Sequence, residues 1–176
     1  VVAMARHVAL LRGVNVGGVK VAMADLRAIA EGLGYDEVST HLNSGNLLLS
    51  SRRRAATVAA ELQAALTDRY GRELPVMVRS REELQDALAR QPFAGGDRDP
   101  SRAQIGFLSE APKSGAGEGL GPFDGEEWAV DGREVFLYYP DGMGRSKLTT
   151  AVLERALGTR VTVRAMRTVA GLVDRL

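Results

Sequence analysis

The apolar positions of this chain change period repeatedly, and each change marks an element. His7-Val8-Ala9-Leu10-Leu11 is a short apolar run that predicts a first strand at about 7–12. Leu26, Ile29, Ala30 and Leu33 then recur at i, i+3, i+4 and i+7, predicting a helix over about 23–33 closed by Gly34. A second strand at about 37–42, a turn at Asn43-Ser44-Gly45-Asn46 and a third strand at Leu47-Leu48-Leu49 follow. Val58, Leu62, Leu66 and Tyr70 share one face of a helix over about 55–70, and Gly71 closes it. Val76-Met77-Val78 is the fourth strand. The order β-α-β-β-α-β is that of a ferredoxin-like unit.

Ser80-Arg81-Glu82-Glu83 reads as a capping box opening a third helix, which stops before Pro92. A polar, Gly/Pro-rich stretch from Phe93 to Arg102 links this half to the next. Gln104-Ile105-Gly106-Phe107-Leu108 is strand-like, and Ser109 to Gly125 is an irregular loop. Glu127 to Val130 and Glu134 to Tyr139 form a hairpin across Asp131-Gly132-Arg133. A helix is expected from Ser146 to Leu157, a short strand at Val161-Thr162-Val163, and a last helix capped by Thr168. The expected class is therefore α+β: two ferredoxin-like (βαββαβ-type) subdomains packed together. Their expected bounds are 1–79 and 103–176, with a helix and linker at 80–102.

A lone ferredoxin-like sheet carries helices on one face, so its strands should alternate. Leu47-Leu48-Leu49, Val76-Met77-Val78 and Phe136-Leu137-Tyr138 are instead continuously apolar. Both faces should be covered, most simply by the two halves packing together; an obligate homodimer would explain the same pattern.

Composition adds exclusions. The 176 residues carry no cysteine, which removes disulfides, thiolate catalysis and cysteine metal sites. No run of 18 apolar residues suggests a membrane span, and Val1 to Arg6 lacks a signal-peptide core, so a cytoplasmic location is the default. The net charge of +1 provides no broad field for nucleic acid or membrane. Arginine outnumbers lysine heavily, a pattern that fits genome composition, and Lys20 and Lys147 stand out beside glycine-rich turns.

Arg12-Gly13-Val14-Asn15-Val16-Gly17-Gly18-Val19-Lys20, between the first strand and helix, is the richest candidate for chemistry. Gly13 and Gly18 have P-loop spacing, but Val19-Lys20 stands where Lys and Ser/Thr are required, and the dinucleotide-fingerprint spacing fails too. Arg12, Asn15 and Lys20 remain as donors around glycines able to take positive φ, or the glycines serve the crossover alone. A second candidate is Pro140-Asp141-Gly142-Met143-Gly144-Arg145-Ser146-Lys147, with Ser146 expected as N-cap and Arg145 and Lys147 beside it. The third, Asn43 to Asn46, has the form of a two-residue hairpin whose asparagines could supply amide contacts. Neither histidine has metal-ligand spacing, and no nucleophile or general base is identifiable. RNA-binding sheets of the RRM type display aromatics on their central strands; the first and third strands have none, which disfavours nucleic acid. Arg52-Arg53-Arg54 forms a basic rim that could touch phosphates, although the charge run reads better as a solvated helix entry.

Leu10 to Gly18, Met23-Ala24-Asp25-Leu26-Arg27, Leu42 to Asn46 and Pro140 to Leu148 together resemble the domain-of-unknown-function 1697 family, whose members are uncharacterised and mostly bacterial. The resemblance runs over nearly the whole chain and implies two ferredoxin-like subdomains. It supplies no reaction, substrate, cofactor or catalytic residue. The family usually shows an Arg-Asn-Trp-Asn-Thr-like segment near its C-terminus; here Arg164-Ala165-Met166-Arg167-Thr168 keeps only the first and last of these.

The function expected from the residues is binding of an anionic small molecule, phosphorylated or carboxylated, between the subdomains. Arg12, Asn15, Lys20, Asn43, Arg145, Ser146 and Lys147 would line the pocket. The alternatives are a nucleic-acid contact protein using scattered arginines, or a structural or oligomeric module whose motifs only shape turns.

Overall fold

The computed structural model describes residues 3–15 and 18–176; Val16 and Gly17 of the glycine-rich segment lie outside the described residues. Among the described residues the chain is α+β, with two four-stranded antiparallel sheets and five α-helices. It divides into two compact units, 1–84 with 172–176 and 85–171, so the last five residues group with the first unit.

In the first unit, β1 (Ala5–Leu11), β2 (Asp36–Thr40), β3 (Asn46–Ser51) and β4 (Val76–Arg79) lie in the order β2-β3-β1-β4. β1 pairs antiparallel with both β3 and β4, Ala9 facing Leu47 on one side and Val78 on the other. Helices α1 (Met23–Gly32) and α2 (Ala55–Tyr70) cover one face of this sheet. The core there joins Ala9, Leu11, Leu47, Leu49, Val76 and Val78 to Leu26 and Ala30 of α1 and Val58, Leu62 and Leu66 of α2. Alternation along a strand sends Val8, Leu10, Leu48 and Met77 to the opposite face, and these are buried as well. The continuous apolar runs thus correspond to burial on both faces. α2 ends on Gly71 in the left-handed region at φ 67°, as its position after the apolar stripe predicts.

Helix α3 (Arg81–Arg90) opens with the expected capping box. The Glu83 N–H donates to Ser80 Oγ at 3.1 Å, and the Ser80 N–H donates to Glu83 Oε1 at 3.0 Å.

The second unit holds β5 (Ala103–Leu108), β6 (Glu127–Asp131), β7 (Glu134–Tyr138) and β8 (Val161–Ala165) in the order β6-β7-β5-β8. Helix α4 (Thr150–Leu157) packs Leu153 and Leu157 against Leu108, Val135, Leu137, Tyr139 and Val161. Buried Tyr139 donates its hydroxyl to the Leu148 carbonyl at 2.9 Å, which pins the segment leading into α4. The expected irregular loop contains a single 3-10 turn, Ala116–Gly119.

Three local expectations are corrected. Helix α4 starts at Thr150 rather than Ser146, because Thr149 is the cap: its Oγ1 accepts from the Val152 N–H at 3.2 Å. Helix α5 (Met166–Arg175) follows β8 directly, so Thr168 lies inside it and does not cap it. The link between β2 and β3 spans residues 41–45 rather than two residues, with His41 just past β2.

Gly106 sits mid-strand, where a Cβ would come within 2.6 Å of Val135 Cγ1 and 2.9 Å of Val161 Cγ2. Gly106→Ala should cost about 1–3 kcal/mol by overpacking, read as a lower urea midpoint with an unchanged m-value. A pH dependence follows from the histidines. Burial lowers the pKa of His7 from 6.5, and burial plus the nearby Arg175 charge lowers that of His41. Above pH 6.5 both are neutral in folded and unfolded chains; below it the unfolded chain takes up protons first. Stability should therefore fall as pH drops from about 6.5 towards the folded-state values. Urea midpoints across that window should fall less for His7→Gln than for the wild type.

Candidate functional site

The segment Arg12 to Lys20 leaves β1 and enters α1. Gly13 takes φ 73° and Asn15 φ 60°, a left-handed conformation that glycine adopts freely and asparagine tolerates. The Val19 N–H donates to the Gly13 carbonyl at 3.2 Å, and the Asn15 N–H donates to the Val19 carbonyl at 2.9 Å. Gly18 approaches so closely that a Cβ there would lie 2.1 Å from the Gly13 oxygen. Gly13 and Gly18 thus serve the closure of the loop.

Asn15 braces that loop. Its Nδ2 donates to the carbonyls of Val21 and Asn43, each at 2.8 Å, and its Oδ1 accepts from the Val21 N–H at 2.9 Å. Both amide protons are engaged. The partner loop is held just as firmly: buried Asn46 donates from Nδ2 to the His41 carbonyl at 2.9 Å and to Ser44 Oγ at 3.1 Å. Gly45, at φ 84°, lies where a Cβ would meet Val14 Cγ2 at 2.6 Å, so the two loops touch through glycine.

Between them lies a crevice of about 550 Å³ lined by Asn15, Gly18, Lys20, Val21, Ala22 and Asn43. Three residues expected from the sequence, Asn15, Lys20 and Asn43, therefore come together. Lys20 and Asn43 are exposed, and among the described residues no hydrogen bond or ion pair engages either side chain. Helix α1 begins beside them with Ala22 as an N-cap that has no capping side chain, so its first-turn N–H groups lack a side-chain acceptor. Asp25 in that turn is paired with Arg69 at 3.7 Å. Arg12 is half-buried, its backbone N–H donating to the Pro75 carbonyl at 3.0 Å, and it is not a lining residue.

The second expected motif belongs to the other unit. Arg145 ends a 3-10 turn, Met143–Arg145, and Ser146 Oγ accepts from the Leu148 N–H at 3.0 Å. Arg145 and Lys147 are exposed and precede α4 instead of occupying its first turn. A Cβ on Gly142 would meet Arg102 Nη1 at 2.9 Å, so Arg102 lies against this turn. Sequence reasoning passed over Arg102 because it sits in the linker, and nothing in the spacing points to the contact.

Arg164, in the segment that departs from the family pattern, is buried on β8. Its Nη1 donates to Thr162 Oγ1 at 2.5 Å and to the Val163 carbonyl at 3.1 Å. Burial lowers its pKa to about 10, which still leaves it charged at neutral pH. Among the described residues no group of three or more His, Cys, Asp or Glu could hold a metal ion, and no helix is long and apolar enough to cross a membrane.

Asn15→Ala should lower stability by about 1–3 kcal/mol, because it leaves the Val21 N–H without its acceptor. Asn43→Ala, whose side chain holds nothing, should stay within about 0.5 kcal/mol. Urea unfolding of the two variants checks the contrast.

The structure is similar to that of a conserved bacterial protein from Streptococcus pneumoniae, with a TM-score of 0.73 and 24% identity over 99% of each chain. At that identity the likeness speaks for the fold alone. None of the curated proteins matches. The model of a family described as a protein of unknown function, DUF1697, matches residues 4–136, a span that includes the Arg12–Lys20 loop and the Asn43 turn and stops before Pro140. The chain belongs to this DUF1697 family of proteins of unknown function.

Proposed function

We propose that this protein binds a small anionic molecule, phosphorylated or carboxylated, in the crevice between the β1–α1 loop and the β2–β3 turn. The observation that carries this reading is the pair of unengaged polar side chains, Lys20 and Asn43, on a crevice of ligand-sized volume, about 550 Å³. Lys20 supplies a compact positive charge and three donors; Asn43 supplies an amide that can donate or accept. The first-turn N–H groups of α1 add a positive helix end. Asn15 acts here by positioning, since its amide protons already hold the Val21 and Asn43 carbonyls. Arg145, Ser146 and Lys147 are read as a separate basic turn of the second unit.

We also read each unit as ferredoxin-like. The strand orders β2-β3-β1-β4 and β6-β7-β5-β8 support this, as do the crossovers through α1 and α2 in the first unit. In the second unit the 3-10 turn Ala116–Gly119 stands where a first crossover helix is expected.

A thermal-shift panel of nucleotides, sugar phosphates and organic acids tests the binding. A ligand at about 100 times its Kd should add about 2.7 kcal/mol of stability. Lys20→Ala should weaken that ligand about tenfold, the scale of one charge-assisted hydrogen bond. A panel without any stabilising anion, or an equal response from Lys20→Ala, contradicts the proposal.

A further inference from the structure

Strand β6 forms one edge of the second sheet: in the order β6-β7-β5-β8 it pairs with β7 alone. The Leu108 N–H donates to the Arg133 carbonyl at 2.9 Å, and the Tyr139 N–H donates to the Arg102 carbonyl at 3.0 Å. Arg133, Val135, Leu137 and Tyr139 therefore bond towards β5, because backbone bonding alternates sides along a strand. Glu134, Phe136 and Tyr138 bond towards β6, where the register gives them Asp131, Ala129 and Glu127. The N–H and carbonyl groups of Trp128 and Val130 are left pointing out of the sheet. No hydrogen bond engages them among the described residues.

Sheet edges are ordinarily blunted by bulges, prolines, lysines or covering segments. Strand β2 has a register shift between Asp36 and Ser39, and β4 and β8 are mostly buried. Strand β6 has neither protection: its register against β7 runs unbroken, and its centre is Trp128-Ala129-Val130. Val130 is 37% exposed, one of three exposed large hydrophobic residues among those described. A groove of about 630 Å³ runs beside it, lined by Trp128 and Val130 on the strand and by Lys113, Ala116 and Gly117 of the preceding loop.

We propose that β6 is a self-association edge, pairing antiparallel with β6 of a second copy of this chain about Ala129 and joining two four-stranded sheets into one. The strand is its own complement. In that register Trp128 lies opposite the partner's Val130, and Val130 lies opposite the partner's Trp128. Each pair exchanges both of its free N–H···O bonds, as an isologous contact requires. Indole and isopropyl groups meet across the strands, an aromatic–β-branched pairing that stabilises sheets. Glu127 falls opposite the partner's Asp131, but each carboxylate already has a cation. Arg98 grips Glu127 at 2.7 and 2.6 Å, and Arg90 reaches Asp131 at 3.0 Å. The same ion pairs leave β6 no unmatched charge with which to select a foreign acidic or basic segment, so the occupant is a second copy. This edge belongs to the second unit and is independent of the Lys20 crevice.

The test is sedimentation equilibrium of the wild-type chain from micromolar to millimolar concentration, with amide hydrogen exchange measured at both ends of that range. A dimer should form as concentration rises, and the Trp128 and Val130 amides should gain protection with it. The Ala129 amide, bonded to β7, is the internal control and should be protected throughout. Val130→Lys puts a charge on the edge without touching the β6–β7 ladder. It should keep the protection of Ala129 and weaken the dimer at least tenfold. Met4→Lys makes a like change at another exposed apolar residue, in the first unit, and should leave the dimer unchanged. The proposal fails if a dimer forms while the Trp128 and Val130 amides exchange freely, or if Val130→Lys dimerises like the wild type. A chain that stays monomeric up to millimolar concentration also overturns it, and leaves the edge to a foreign extended strand.

Discussion

The candidate site depends on one carboxamide. A chain leaving the central strand β1 must turn back to start α1, and it does so through a loop in which two of the described residues, Gly13 and Asn15, take the left-handed region. The Asn15 side chain ties that loop to its own far end at Val21 and to the neighbouring turn at Asn43. Three hydrogen bonds from one side chain replace the regular ladder that a loop lacks. The crevice exists because this brace, together with the close approaches at Gly18 and Gly45, holds two loops at a set separation.

The same logic separates polar residues that build the fold from those left over. Several arginines are builders. Arg53 joins Glu61, the Leu33 carbonyl and the Tyr35 ring. Arg90 links Asp86, Asp131 and Glu134 and lies over Phe136. Arg98 grips Glu127 through two bonds of 2.7 and 2.6 Å, which hold the Glu127 carboxyl below its ordinary pKa. The planar guanidinium fork suits such multiple bonding. Composition alone reads as a general arginine preference; the structure turns much of it into internal joinery. Lys20 and Asn43 are among the exposed side chains that no hydrogen bond or ion pair engages among the described residues.

The order of elements was legible because hydrophobic period is a local signal. In the first unit β1, α1, β3, α2 and β4 lie within two residues of where their apolar patterns set them, while β2, with Val38 its one apolar residue, ends at Thr40, short of the expected 42. Caps and turns were less legible, because short polar side chains have competing local partners. Ser146 resembles a helix cap, but its hydroxyl accepts from Leu148 two residues on, and the helix waits for Thr149. The Asn43-Ser44-Gly45-Asn46 string has the form of a tight hairpin, yet Asn46 is drawn into β3 and uses its amide to fold residues 41–45 beneath it. The Lys20–Asn43 pairing in one crevice was suggested by residue type, since both flank glycine-rich turns at strand ends. The brace was not legible: Asn15 and Asn43 stand 28 residues apart, and only the register of β1 against β3 brings them together.

The brace is open to direct measurement through the Val21 amide, which precedes α1 and has the Asn15 Oδ1 as its acceptor. Hydrogen exchange at this one N–H should be slow in the wild-type chain and close to the unprotected rate in Asn15→Ala, with the protection of β1 and β3 retained in both. A Val21 amide that exchanges freely in the wild type, or stays equally protected without the Asn15 side chain, would contradict the account of how the crevice is held open.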